Sequence, residues 1–336
     1  MFSRVSGPAR KLALAFCTAL TLAVAQESTA QSAAAPTVHM VTVAPSVALE
    51  VLDSGGSGPP LLLLSQLGHT AHVYDGWTTR LLRDRFRVIA VTRRGYGASS
   101  HPASGYDSAT LVRDLVAVLD SLRLDRVTVV GHEVGVTEAV LLAARHPQRV
   151  ERLVFLGPAV DFKKYIAQLV ERKAPGLPEP AVGDYDQETV AGLVLAAERT
   201  SGPAFPESEV RAMFQFGPDG VITGSNSYSG ASAAIVAGLE SLDGVSITAP
   251  ALNVGLGRTS VEVQYPYWQD LDQGERATAR QLAEIQAEIE GPLRASFVKT
   301  VPALTTVAIN GARRYVFLTH PGEVTQELLT FVKASR

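Results

Sequence analysis

The chain has 336 residues, of which 46% are hydrophobic, 7% aromatic and 19% charged, a composition that excludes a disordered or fibrous protein. Thirty Lys and Arg stand against 33 Asp and Glu without long runs of either sign, so electrostatic capture of nucleic acid is excluded. Cys17 is the only cysteine, which rules out a disulfide framework and a cysteine-based zinc site.

The first segment reads as an address. Arg4, Arg10 and Lys11 precede an apolar run over residues 12–25, and small residues offer an exit at Ala23-Val24-Ala25 or at Ser28-Thr29-Ala30. This pattern predicts a secretory signal peptide over 1–25 and a tether over 26–36. The competing reading is an uncleaved anchor, but the run is short for the ~30 Å of a bilayer core. Cleavage after Ala25 removes the three bases, Cys17 and no acid. The remaining chain is thiol-free and has no membrane span, which suits an oxidising periplasmic or extracellular compartment.

From residue 37 the periodicity predicts alternating strands and helices. Strands are expected at 37–43 and 47–53, joined by a turn at Pro45, then at 61–64, 87–91, 127–130 and 153–156. Helical patterns at 71–83, 108–122 and 134–145 separate the later ones. Fully apolar strands alternating with helices predict an α/β, doubly wound, mostly parallel sheet covered on both faces. Beyond Pro158 the pattern loosens, with Pro- and Gly-rich breaks at 175–180, 202–206 and 217–220. Residues 159–245 are therefore expected to form a helical lid rather than sheet. The core resumes over 246–336 with a strand at 250–254, a long helix at 277–297, a strand at 304–309 and a closing helix at 323–333. No internal repeat is present.

The informative site is Gly131-His132-Glu133-Val134-Gly135, between a strand and a helix. A sharp strand-to-helix bend brings two chain segments together, and glycines two before and two after the central residue make room for it. The central side chain is then held at the carboxyl edge of the sheet, above a helix N-terminus.

These residues resemble the α/β-hydrolase superfamily, whose nucleophile sits at such a bend. The likeness extends through Thr92-Arg93-Arg94-Gly95-Tyr96-Gly97-Ala98-Ser99, similar to the family's Arg-Gly-x-Gly-x-Ser loop, and through His146-Pro147 after the following helix. It covers roughly residues 37 to 334. The resemblance implies a catalytic triad, and three of its positions depart from the pattern. Glu133 stands where the family has Ser or Asp, and Arg314 stands where it has histidine. The acid position after the strand ending near Val254 holds Gly255-Leu256-Gly257-Arg258-Thr259-Ser260, without a carboxylate, and the alternative acid site is Gly157. Ser65-Gln66 replaces a common His-Gly pair, although the backbone N–H groups of Leu67 and Val134 are still able to form an oxyanion hole.

Serine acyl transfer needs a hydroxyl and a base, and both are missing from their places. Arginine cannot serve as the base because it stays protonated. As a pair, however, the substitutions make sense: a bidentate Glu133–Arg314 salt bridge satisfies two groups that are each costly to bury alone. Arg313 is the second choice of partner. Breaking such a pair, if buried, costs ~3–5 kcal/mol.

Among the other histidines, His69 and His72 lie in the loop after the 61–64 strand and are secondary candidates; such loop histidines are ordinarily solvated or bonded to a turn. His132 is expected to pack behind the bend, and His320 to sit at a helix start. His69 and His72 with Asp75 do not complete a metal site, so no metal and no cofactor is expected. Tyr228, Tyr265, Tyr267 and Trp268 are expected to pack in the lid or beside it, and Tyr106 and Tyr185 to lie on surface loops. The reading is an exported hydrolase-fold protein without the ordinary Ser-His-Asp activity, keeping a lidded pocket for a small apolar ligand or a partner protein. The alternative is an ester or epoxide hydrolase, or a lyase or isomerase, using Glu133 as nucleophile or general acid–base with a histidine from an unexpected place.

Overall fold

The structure is a computed structural model that describes residues 35–84, 86–176 and 188–333. The expected signal peptide, the tether apart from its last two residues, and Tyr185 lie outside the described residues.

The chain opens with the hairpin β1 (Thr37–Ala44) and β2 (Val47–Asp53), then β3 (Pro60–Leu64) and a short 3-10 turn at Ala71–Tyr74 that leads into α1 (Asp75–Arg83). There follow β4 (Arg87–Val91), α2 (Ser108–Ser121), β5 (Val127–His132), α3 (Val134–Arg145) and β6 (Val150–Leu156). An insertion then carries α4 (Phe162–Glu171), α5 (Val190–Ser201), α6 (Glu207–Met213), β7 (Phe214–Phe216), β8 (Ile222–Ser225) and α7 (Ala231–Gly238). The chain returns to the core with β9 (Ala251–Leu256), α8 (Val261–Gln264) and α9 (Gln273–Thr300). It closes with β10 (Leu304–Ile309), α10 (Val316–Thr319) and α11 (Pro321–Lys333).

Eight strands form one sheet in the order β1-β2-β4-β3-β5-β6-β9-β10. Only the pairings that involve β2 are antiparallel; from β4 to β10 every neighbour is parallel. The doubly wound sheet expected from the alternation is therefore present. Its alternating side chains feed two cores. Leu62, Leu64, Val127 and Val129 join α2, α3 and α9 on one face, while Leu61, Leu63, Val130 and Val154 join Trp77, Phe317 and Leu328 on the other. Leu61 to Leu64 are essentially inaccessible, which is why that strand carries no polar residue.

Two details differ from the sequence expectation. The insertion is not purely helical, because β7 and β8 pair as a small antiparallel ribbon. Each of its strands is four residues or fewer, too short to show a period of two. Tyr106 is buried rather than superficial; its ring stacks on Tyr228 and its hydroxyl donates to the Pro102 carbonyl at 2.8 Å. Tyr265, Tyr267 and Trp268 do pack as expected, in a small cluster with Leu271 and Ala279. Among the described residues, no helix is long and apolar enough to cross a membrane.

The strand order reverses at β3: β4 lies on one side and β5 on the other. The loops leaving β3 and β5 diverge at their carboxyl ends, and such a crevice is where open α/β sheets place their sites.

Candidate active site

The bend after β5 is as sharp as the glycine spacing requires. Glu133 has φ 49° and ψ −113°, a left-handed conformation that a non-glycine residue adopts only at a cost of about 1–3 kcal/mol. A Cβ on Gly131 would lie 2.6 Å from the Gly135 carbonyl oxygen, and one on Gly135 would lie 2.6 Å from the Leu64 carbonyl oxygen. Both glycines are thus needed for β3, β5 and α3 to meet. Gly157, at the end of β6, has φ 94°, and a Cβ there would touch Glu133 Cγ at 4.0 Å, so the alternative acid position adjoins the bend and holds no acid.

The Glu133 side chain does not cap α3. It turns to Arg314, which makes a two-point contact: Nη2–H donates to Oε2 at 2.6 Å, and Nε–H donates to Oε1. Arg314 is therefore the partner, and Arg313 is not. The pair is one-sided in exposure, however: the glutamate side chain is 12% exposed and the arginine 52%. The cost of a buried pair therefore does not apply in full, because the Arg314 side chain, in the turn after β10, is about half exposed. Burial alone would raise the Glu133 carboxyl, but the charge and hydrogen bonds of Arg314 hold it below its ordinary value. Burial pushes the Arg314 guanidinium down, and Glu133 more than reverses this, so it stays charged. On α9, burial first and the Glu133 charge second push the Glu290 carboxyl up.

His132 packs behind the bend as expected, fully buried beside the rings of Tyr315 and Phe317. Its Nε2–H donates to the Arg314 carbonyl at 3.1 Å. Burial pushes it down to about 4, so it is neutral and cannot act as an imidazolium at ordinary pH. His320 lies at the start of α11, with Nδ1 3.0 Å from Thr319 Oγ1.

The loop after β3 is held from below. Arg93, at the end of β4, forms a buried pair with Glu138 of α3 and donates from Nη1 to Ser65 Oγ and the Gln66 carbonyl, each at 3.2 Å. It also donates to the Ser65 carbonyl. This clamp fixes the backbone of Ser65 and Gln66, from which the loop runs on through Leu67 to His69. Neither the Leu67 nor the Val134 amide has a partner among the described residues, so both oxyanion-hole candidates stand as donors.

Neither His69 nor His72 is solvated: His72 bonds within its own turn, one of the two expected arrangements, whereas His69 bonds to distant parts of the chain, which the loop reading did not foresee. His72 Nδ1 lies 2.9 Å from Asp75 Oδ2, with Glu50 at 3.6 Å. Burial alone would lower it, but the two carboxylates push it up to about 10, so it is a charged strut rather than a base. His69 is buried between two groups from distant parts of the chain. Its Nδ1 is 2.8 Å from Glu209 Oε1 on α6, and its Nε2 is 2.8 Å from the Tyr315 hydroxyl. Gln66 Nε2–H also donates to that hydroxyl. Glu209 further accepts the Thr70 N–H at 3.0 Å and the Thr70 hydroxyl. Sequence reasoning missed Gln66 as a side-chain donor, Glu209 and Tyr315. Tyr315 adjoins Arg314 and could have been found by extending the triad position by one residue. Glu209 lies 140 residues from His69, inside the loosely patterned insertion, where no local signal marks it.

An eight-stranded sheet of this order, with a strained residue between close-packed glycines after β5, defines an α/β-hydrolase fold with its nucleophile bend intact. Comparison with known proteins agrees. A family model described as the alpha/beta hydrolase fold matches residues 59–217. The chain is 34% identical over 111 residues to the 2-(acetamidomethylene)succinate hydrolase of Mesorhizobium japonicum, covering 33% of this chain and 38% of that protein. It is also 34% identical over 128 residues to a 2-hydroxymuconate semialdehyde hydrolase of a Pseudomonas species, covering 37% of this chain and 44% of that protein. The match thus spans less than half the length of these curated relatives. The crystal structure of an E-2-(acetamidomethylene)succinate hydrolase superposes with a TM-score of 0.62 at 22% identity, covering 89% of this chain and 99% of that one. The chain thus has the α/β-hydrolase fold, and its residues 59–217 match that family's model.

Proposed function

We propose that this is an exported hydrolase-fold protein whose bend residue is catalytically silent, and that it binds a small apolar ligand beneath a lid formed by residues 159–245. The observation that carries this reading is the two-point contact between Arg314 and Glu133. A carboxylate attack would produce an ester that water must then cleave, and cleavage needs a base. The guanidinium in the histidine position cannot accept a proton, the loop at 255–260 offers no acid to orient one, and the acid-oriented imidazole of His69 is bonded on both ring nitrogens, to Glu209 and Tyr315 rather than to Glu133. The ion pair also keeps Glu133 ionised, which disfavours a role as general acid near neutral pH. Export is supported by the basic, apolar and small-residue order of residues 4–25.

A second reading is favoured by one observation. The strained backbone of Glu133 is retained, and such strain clusters at active sites. In that reading Glu133 is a working nucleophile or acid–base group. The two readings separate in one assay: hydrolysis of p-nitrophenyl acetate and of styrene oxide by the purified protein beside Glu133→Gln. The silent-bend reading expects no difference between the two proteins. Turnover abolished by Glu133→Gln would overturn it and establish the second.

A further inference from the structure

The His69 contacts set a definite direction of proton donation. A carboxylate that already accepts the Thr70 N–H and hydroxyl can only accept again, so His69 carries its hydrogen on Nδ1 and donates it to Glu209. Nε2 is then the acceptor, and the Tyr315 hydroxyl donates to it at 2.8 Å. Gln66 completes the arrangement by donating its amide hydrogen to the phenol oxygen. An oxygen bonded to an imidazole that is itself oriented by a carboxylate is the general signature of an activated nucleophile. Here the three groups come from the loop after β3, the insertion helix α6 and the turn after β10, and none of them is Glu133.

We propose that Tyr315, His69 and Glu209 form a second reactive centre, in which the Tyr315 phenol is a nucleophile toward small uncharged esters, His69 is its base and Glu209 orients the imidazole. Apolar rings pack against the centre, Phe205 6.0 Å from the His69 ring and Phe317 6.1 Å from the Tyr315 ring, and the Glu133–Arg314 pair that also acts on Tyr315 carries no net charge, a setting suited to an uncharged ester. Glu209 is fully buried. Burial also pushes the Tyr315 phenol up to about 12, so the attack requires the neighbouring base. In the step, Tyr315 Oη bonds to the acyl carbon while its proton passes to His69 Nε2 and the carbonyl π pair moves onto oxygen. Collapse expels the alkoxide, which leaves as the alcohol with the proton from His69. Water then attacks the acyl-tyrosine, giving its proton through His69 to the departing phenol oxygen and releasing the acid. The Leu67 N–H, next in sequence to Gln66 and without a partner among the described residues, is the backbone donor assigned to the transient oxyanion.

The inference does not depend on the silence of Glu133, and the test separates them. The full-length purified protein is treated with diisopropyl fluorophosphate, and the adduct is located by tandem mass spectrometry. The expected result is a single adduct on Tyr315, absent in Tyr315→Phe, slowed at least about 100-fold in His69→Asn and unchanged in Glu133→Gln. Circular dichroism checks the fold of each variant. Should Tyr315→Phe not fold, the mapped adduct on the unaltered protein decides the question. No adduct, or an adduct on any other residue, overturns the proposal.

Discussion

A guanidinium and a carboxylate joined at two points stabilise each other most where water is scarce, and Glu133 and Arg314 sit at the margin of that condition. The carboxylate is nearly enclosed, while the arginine is half in solvent. Removing one partner should therefore cost more than at an exposed pair and less than at a buried one. For Arg314→Met we expect a loss of about 1–2 kcal/mol at neutral pH, between the exposed and buried ranges. Chemical denaturation of the two single variants and of the double variant with Glu133→Gln measures the coupling directly. Its pH dependence has a fixed sign. Glu133 is held below its ordinary 4.5, so its contribution is complete above pH 4.5 and is lost as pH falls through the lower folded value. The stability gap between the unaltered protein and Glu133→Gln should persist at pH 6 and shrink below pH 4.5. A gap that stays constant down to pH 3 would contradict the pairing.

At the scale of the elements, the bend exists because three backbones converge. The end of β3, the end of β5 and the start of α3 approach so closely that neither Gly131 nor Gly135 tolerates a Cβ without a shift of main chain. Gly135→Ala would push the Leu64 carbonyl away from α3. We expect a loss of about 1–3 kcal/mol, typical of overpacking in a tight core, measured as a lower denaturation midpoint with an unchanged slope. An unchanged midpoint would mean that the approach is looser than described. The insertion is tied down by two residues of α6. Glu209 bonds to His69 and Thr70, and the Ser208 hydroxyl donates to Asp75 at 2.5 Å. Asp75 in turn holds the charged His72. The loop after β3 and the first turn of α1 thus form a seat for the insertion.

For the molecule as a whole, the apolar strands and their helices were legible because each buried strand writes its burial on both faces into consecutive residues. Leu61 to Leu64 is the clearest case. Glu133 and Arg314 were legible because a tight bend leaves a glycine signature and because the closing strand and helix locate the turn between them. The Tyr315–His69–Glu209 contacts were not, since they join residues up to 246 apart and depend on how the insertion settles. Periodicity reports the environment of one element; it does not report which side chains of two distant loops meet. The small ribbon of β7 and β8 escaped for a different reason, its strands being shorter than one readable period. A silent bend requires that the Glu133 carboxylate never bonds covalently to a substrate. Turnover of styrene oxide or p-nitrophenyl acetate in 18O-labelled water, followed by mass analysis of the peptide containing Glu133, reads this directly. With a silent bend, no 18O enters the Glu133 carboxyl after many equivalents of substrate. Heavy oxygen incorporated there would identify an ester intermediate on Glu133 and contradict the silent bend.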